Sequence, residues 1–342
     1  MKSSEFIHWD ALESILKNEL NLSEGHLIHK KFSEGYSNMT FLLTLDKWEG
    51  VMRRPPGGEL PPRAHDMHRE FQLLEKLSKV YPLAPTPLLY LDDKEIMDKH
   101  FYIMEKKNGV VIDENYPTEW GSSTEVGPIL SRAIVDALID LQKVDYKQAG
   151  LANFGKPEGF MERQVSGWIR RYSHAKTKEI SSVTEIEGWL TQNVPKHSDI
   201  TIVHNDFKLN NLVFDDGNPS HVTGVLDWEL ATIGDPLSDV GSSLAYWGSK
   251  DDPNIGIHVL SSQQGFYSRR EMAEYYAKGT GKDLSNINFY LAFGFYKLGV
   301  ILQQIYARWE NGSLEDQRFS TLDEAVENLM NLAIEAKEGR LV

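Results

Sequence analysis

Residues 202–211 read Ile-Val-His-Asn-Asp-Phe-Lys-Leu-Asn-Asn, an apolar entry followed at once by side chains suited to chemistry on an anion. Asp206 is a carboxylate able to take a proton, Lys208 brings positive charge, and Asn211 offers a side-chain oxygen of the kind a hard cation binds. Sixteen residues beyond Asn211, Asp227 closes the apolar run Val-Thr-Gly-Val-Leu-Asp and supplies a second such oxygen. Together they describe a magnesium-phosphate site, with Asp206 and Lys208 as the catalytic candidates and Asn211 and Asp227 as the metal ligands. In the bland alternative, His204 and Asp206 only brace a strand end. The joint placement of Lys208, Asn211 and Asp227 weighs against it.

The spacing H-x-D-x-K-x-x-N is that of a kinase catalytic loop, with Asp227 where the following metal-binding aspartate stands. Such a site also needs a strand cation to grip nucleotide phosphates and a helix acid to hold it. In Gly-Val-Met-Arg-Arg, residues 50–54, period-2 alternation puts Val51 and Arg53 on one face, so Val51 roofs the base and Arg53 reaches the phosphates, while Arg54 points away. In the helical run that follows, Met67, Glu70, Phe71, Leu74 and Leu77 share a stripe. Glu70 is its one charge, and burial demands a partner, so the expected partner is Arg53. Gly35, Ser37 and Asn38 lie between two strands, where small residues can cover phosphates or simply turn a hairpin. At the end of the strand Phe-Tyr-Ile-Met-Glu, main-chain groups of Glu105 and Lys107 beside Met104 are candidates to pair with a nucleotide base.

The elements that must position these residues divide in two. Five β-patterned runs, with one helix after the loop Pro55–Pro62, fill the first hundred residues; helical periodicity dominates beyond Gly109. The expectation is an α+β, bilobal protein-kinase-like fold: a small N-terminal antiparallel sheet lobe over 1–107 and a larger, mostly helical lobe over 108–342. An amphipathic helix is expected around Trp9 to Leu20. With 36 basic and 50 acidic residues the net charge is −14, which offers no general field for nucleic acid. There is no cysteine, so thiolate chemistry and disulfides are excluded. No apolar run reaches membrane-spanning length and the N-terminal residues lack a secretory apolar core, so the expected location is the cytoplasm, with no membrane partner.

With these residues the chain resembles the aminoglycoside-phosphotransferase and choline-kinase type of small-molecule kinase. The segment Gly224 to Trp247, Gly-Val-Leu-Asp-Trp-Glu through Gly-Asp-Pro-Leu-Ser-Asp to Ala-Tyr-Trp, is the most specific part. The branch it is most similar to also occurs fused to certain acyl-CoA dehydrogenases, by EGYSNMTF, VMRRPPGG, HREF, FMERQVSGWIRRY and FYLAFGFYKLGVILQQIYARW. The resemblance implies ATP and magnesium, γ-phosphoryl transfer to a hydroxyl, Asp206 orienting that hydroxyl, Asn211 and Asp227 on the metal, and Arg53 on phosphates. It does not fix the acceptor. A protein kinase is disfavoured because Asp227-Trp228-Glu229 runs almost directly into Gly234-Asp235-Pro236, leaving little chain to dock a peptide. Asp239, in the helix that starts there, is a candidate brace for the catalytic loop.

For the acceptor, Met161 to Ile180 carries Arg163, Arg170, Arg171, Lys176 and Lys178 against Glu162 and Glu179, a local net charge of +3. With Trp168 as an apolar or stacking wall, Arg163, Arg170 and Arg171 suit an anionic acceptor such as a hydroxyacyl-CoA. A solvated basic helix face is the plain alternative. Two other readings compete: an aminoglycoside phosphotransferase, whose polycationic substrate would want acid, and a pseudokinase that binds nucleotide without transfer. A metal-dependent hydrolase is disfavoured because no second histidine stands near His204 in sequence.

Overall fold

The computed structural model describes residues 6–32, 38–56, 65–196 and 199–342. The chain forms two compact units, Met1–Asn108 with Gly224–Glu229, and Gly109–Thr223 with Leu230–Val342. The first boundary lies one residue from the expected 107/108 division. The short segment carrying Asp227, expected in the second lobe, belongs to the first unit.

In the first unit, β1 (Ile28–Lys31), β2 (Met39–Leu45), β3 (Trp48–Arg54), β4 (Pro87–Leu91) and β5 (Phe101–Glu105) make one antiparallel sheet in the order β1-β2-β3-β5-β4. Its two faces have different tasks because side chains alternate along each strand. One face sends Met39, Phe41, Leu43, Leu45, Met52, Phe101 and Ile103 into a core with Leu12 and Leu16 of α1 (Trp9–Leu20). The other is covered by α2 (Met67–Leu77), and the register places Arg53 opposite Tyr102 and Val51 opposite Met104. Arg54 points to the face opposite Arg53, fully buried, with Nη2 2.9 Å from Asp98. On α2 the buried set is Met67, Glu70, Leu73, Leu74 and Leu77, so Leu73 joins the expected stripe and Phe71 is only half-buried.

The second unit is built from α3 (Ser123–Gln142), α4 (Phe160–Ala175), α5 (Ser181–Gln192), α6 (Pro236–Tyr246), α7 (Arg269–Thr280), α8 (Ile287–Glu310) and α9 (Leu322–Lys337). Short strands frame the catalytic-loop sequence: β7 (Thr201–Val203) leads into it, β8 (Leu212–Asp215), paired with β6 (Val110–Val111), leaves it towards β9 (Asn218–Val225), and β10 (Thr232–Gly234) pairs antiparallel with β7. The helix α8 is buried almost all round from Ile287 to Gln303. α6 crosses it at Gly241 and Gly294. A Cβ on Gly241 would come 2.3 Å from the Tyr290 carbonyl oxygen, and one on Gly294 2.5 Å from that of Gly241, so only glycine permits this backbone approach. The close crossing matters because α6 and α8 each send a charged side chain, Asp239 and Lys297, to the same loop. Among the described residues, no helix is long and apolar enough to cross a membrane.

Candidate functional site

The catalytic-loop residues lie in the second unit. Asn205 follows β7 in the left-handed region, φ +68°, a conformation that asparagine tolerates better than most residues but that still needs support. The support is complete around its peptide groups. Its N–H donates to Asp239 Oδ1 (2.7 Å), its carbonyl accepts from Lys297 Nζ (2.5 Å), and its side-chain Nδ2 donates to the Leu230 carbonyl (2.9 Å). Asp239 Oδ2 also accepts the His204 N–H (2.6 Å), and one turn along α6, Ser243 Oγ donates to the Phe207 carbonyl (2.6 Å). Asp239 is therefore the brace that its sequence position suggests. His204 is fully buried, sits edge-on to Phe207 and accepts the Asp206 N–H on Nδ1 (3.3 Å), so it too supports the loop.

This scaffold presents three side chains together. Asp206 Oδ2 lies 3.1 Å from Lys208 Nζ and accepts from Asn211 Nδ2 (2.9 Å). Burial pushes the Asp206 carboxyl up, but the ammonium groups of Lys208 and Lys297 with His204 outweigh it and hold the group below the usual carboxylate range. Asp206 is thus ionised at neutral pH, a weak base but a strong hydrogen-bond acceptor. Lys208 is further held over the Tyr246 ring, 4.7 Å from its centroid. Asn211 spends its amide NH2 on Asp206, which leaves its Oδ1 available to a cation.

In the first unit, Arg53 is the hub. Its Nη1 donates to Glu70 Oε1 and its Nη2 to Asp227 Oδ1, both at 2.8 Å, with Glu229 Oε2 3.8 Å from Nη2. The expected Arg53–Glu70 pair is therefore present, and both side chains are buried. Asp227 takes a left-handed conformation, φ +65°, fixed on either side: Val225 N–H donates to the Leu83 carbonyl (2.8 Å), and Trp228 is buried edge-on to Tyr81. Asp227 Oδ1 accepts from Arg53, and its Oδ2 is the oxygen that could ligate a cation. Asn211 Oδ1 and Asp227 Oδ2 are hard oxygens, the chemistry that magnesium prefers. No group of three or more His, Cys, Asp or Glu side chains suited to a metal occurs among the described residues.

The remaining candidates divide clearly. Gly35 and Ser37, and most of Pro55 to Pro62, lie outside the described residues. Asn38 is buried, with Nδ2 donating to Glu229 Oε2 (2.6 Å) and Oδ1 2.8 Å from His65 Nδ1. Val51 and Met104 are cross-strand neighbours on the Arg53 face. The Glu105 N–H is spent on the Thr86 carbonyl (2.8 Å), and the Lys107 ammonium donates to the Pro82 carbonyl (2.8 Å). On α4, the Arg171 guanidinium stacks 4.5 Å from the Trp168 ring centroid, whereas Arg163 turns back to the Lys156 and Glu158 carbonyls and Arg170 is exposed. Lys176 pairs with Glu179, and Lys178 with Asp323 and Glu327, so the segment's excess charge rests on its arginines.

Three participants escaped the sequence reading. Tyr102 is fully buried beside Glu70 and Arg53, Glu229 anchors Asn38, and Lys297 holds the loop. Strand register alone reveals Tyr102. Lys297 carries a visible signal, a lone lysine in the apolar run Phe293–Leu302.

Burial pushes Glu70 up to about 7, against the downward pull of Arg53. The folded state then binds this proton more tightly than the unfolded chain. Its stabilising contribution is complete below about 4.5 and is lost as pH rises through about 7. Glu70→Gln, which keeps an oxygen for Arg53, is expected to flatten the fall in unfolding free energy between pH 5 and pH 8; denaturant titrations across that range check it.

Residues 29–275 match the family described as the phosphotransferase enzyme family. Acyl-CoA dehydrogenase family member 10 of Mus musculus is 32% identical over 337 residues, which cover 96% of this chain and 31% of that protein. Acyl-CoA dehydrogenase family member 11 of Homo sapiens is 33% identical over 300 residues, 86% of this chain and 38% of that protein. The chain thus spans about a third of the length of the curated relatives it matches. A Ralstonia eutropha crystal structure, provisionally described as an aminoglycoside phosphotransferase, aligns with a TM-score of 0.79 at 27% identity, covering 95% of this chain and 98% of that one. Choline kinase from Cryptosporidium parvum aligns at 0.64 and 12% identity over 96% and 95% of the two chains, which speaks to the fold alone.

Proposed function

The chain belongs to the phosphotransferase enzyme family, and from that premise we propose that it is an ATP- and magnesium-dependent small-molecule kinase that transfers the γ-phosphoryl group to a hydroxyl. The observation that carries this is the ionised Asp206 fixed beside Lys208 and Asn211 on a loop whose backbone is held by Asp239 and Lys297. Phosphoryl transfer asks the protein for positioning and charge stabilisation more than for covalent chemistry, and this is what such a loop provides.

In this reading Asp206 accepts a hydrogen bond from the acceptor hydroxyl and aims its oxygen at the γ-phosphorus. The new O–P bond forms as the bond from the γ-phosphorus to the β,γ-bridging oxygen breaks, ADP leaves, and the hydroxyl proton passes to Asp206. Because Asp206 is a weak base, that proton moves late, when the attacking oxygen has become acidic. Lys208 offsets negative charge on the group in transit. Arg53, aimed by Glu70, contacts the nucleotide phosphates; Val51 and Met104 give the base an apolar surface, and the Lys107 N–H gives it a donor. Asn211 and Asp227 are the residues that would hold magnesium, which supplies positive charge to the phosphates.

For the acceptor we favour an anionic hydroxyl compound, a hydroxyacyl-CoA foremost, working in the cytoplasm. Support comes from Arg171 stacked on Trp168 with Arg170 nearby in sequence, and from relatives named as acyl-CoA dehydrogenases. No nucleic-acid or membrane partner is proposed. The test is mass-spectrometric detection of phosphorylated product after incubation with magnesium-ATP and a panel of hydroxyacyl-CoAs, free hydroxy acids, aminoglycosides, choline and sugars. Product from hydroxyacyl-CoAs is expected, weakened by Arg171→Ala. Product from aminoglycosides alone would replace this acceptor with the polycationic one. Tight ATP binding with no product from any acceptor would favour a nucleotide-binding pseudokinase.

A further inference from the structure

Lys297 is a buried cation in the middle of an apolar helix. It is 6% exposed, and its neighbours along α8 include Phe293, Phe295, Leu298 and Val300, all buried. Taking an ammonium out of water costs several kcal/mol unless it is well partnered, and an aliphatic side chain of similar size would fill the same space without that cost. Core packing therefore does not account for a lysine here.

Its partners do. Nζ donates to the Asn205 carbonyl at 2.5 Å, while the N–H of the same residue donates to Asp239 at 2.7 Å. Asn205 is thus held from opposite ends, an anion on its N–H and a cation on its carbonyl, in a left-handed conformation that relaxes if either end is released. The carbonyl that Lys297 grips belongs to the peptide unit whose N–H is that of Asp206. Fixing its plane fixes where the Asp206 Cα stands. The ammonium also lies 5.7 Å from the centroid of the Trp168 ring, whose other contact is the Arg171 guanidinium, so a wall of α4 pins it in place.

We propose that Lys297 is a positioning residue for phosphoryl transfer, orienting the Asn205–Asp206 peptide so that Asp206 meets the acceptor hydroxyl at the required angle. This rests on the reading of the chain as a kinase, and the consequence of such positioning is large because a misplacement of about 1 Å can cost on the order of 100-fold in rate. Lys297 touches neither nucleotide nor acceptor in this scheme. Deleting its ammonium should lower kcat and leave the KM for ATP alone.

The experiment compares wild type, Lys297→Met and Lys297→Arg as full chains. Amide hydrogen exchange is followed, without nucleotide, in the peptide covering residues 203–209, and magnesium-dependent ATP hydrolysis, with water as acceptor, gives kcat and KM. For Lys297→Met the expected result is at least tenfold faster exchange at Asn205 and Asp206, with α6 and α8 still protected. Its kcat should fall at least tenfold while KM for ATP stays within twofold, and Lys297→Arg should recover most of both. Unchanged exchange at Asn205 and Asp206 in a folded Lys297→Met would overturn the proposal. So would faster exchange spread evenly over α8, the signature of lost packing. If the wild type hydrolyses no ATP, the exchange comparison alone decides whether Lys297 orients the loop, and the kinase reading is decided separately by the acceptor panel.

Discussion

Asp206→Asn is expected to reduce ATP-dependent phosphoryl transfer by about 10²- to 10⁴-fold, the range associated with a positioned acid–base group. The substitution keeps the shape of the side chain and the Lys208, Asn211 and Asp239 framework around it. It removes the negative charge that orients the hydroxyl and the site that receives its proton. ATP affinity should change little, because Asp206 is assigned to the acceptor and not to the nucleotide. Steady-state kinetics with a saturating acceptor, together with direct ATP binding, separate these effects. A full-rate Asp206→Asn enzyme would show that the carboxylate has no part in the reaction.

Arg53→Ala is expected to destabilise the first unit by about 3–5 kcal/mol, the usual cost of removing one partner from a buried pair. Arg53 is 7% exposed and Glu70 1%, so neither can turn to solvent without disturbing the sheet or α2. Glu70 can escape part of this cost by keeping its proton. Without the pull of Arg53 its carboxyl rises further, and the destabilisation should be greater at pH 8 than at pH 6. Nucleotide affinity should fall as well, since Asp227 loses the donor to its Oδ1 and the phosphates lose a cation. Arg53→Lys would keep the charge, but a single ammonium cannot donate from two separated nitrogens to Glu70 and Asp227, so it should rescue only partly. Denaturant unfolding at the two pH values tests the stability claim. Equal losses at both would mean that Glu70 does not titrate in response.

These two results depend on residues whose legibility in sequence differs for a physical reason. Asp206, Lys208 and Asn211 stand within six residues of each other, so their spacing alone implies a shared task. Arg53 and Glu70 could be paired in advance because strand alternation and a helix stripe each left one charge facing inward, and the structure joins them at 2.8 Å. Alternation gave no such help at the edge of the sheet. In β1, the end strand of the sheet among the described residues, every residue is exposed, and Ile28 is among them. On α3, Asp136 and Asp140 are exposed, while most of the helix between Leu130 and Leu141 is buried, more than one helical stripe would bury.

What sequence could not supply was the long-range closure of the loop. The Lys297 hydrogen bond spans 92 residues and the Asp239 bonds 34 and 35, and all depend on α6 and α8 touching through Gly241 and Gly294. Likewise, nothing local in Gly224–Glu229 says that these six residues belong with the N-terminal unit. Their Val225 bond to Leu83 and the burial of Trp228 against Tyr81 settle it.

The most direct test of the central claim is release of ADP from magnesium-ATP by the full chain across the acceptor panel, with Asp206→Asn as the blank. Acceptor-stimulated release that disappears without magnesium and falls to the blank level in Asp206→Asn is the expected result. Release that no acceptor stimulates, or that Asp206→Asn matches, would contradict it.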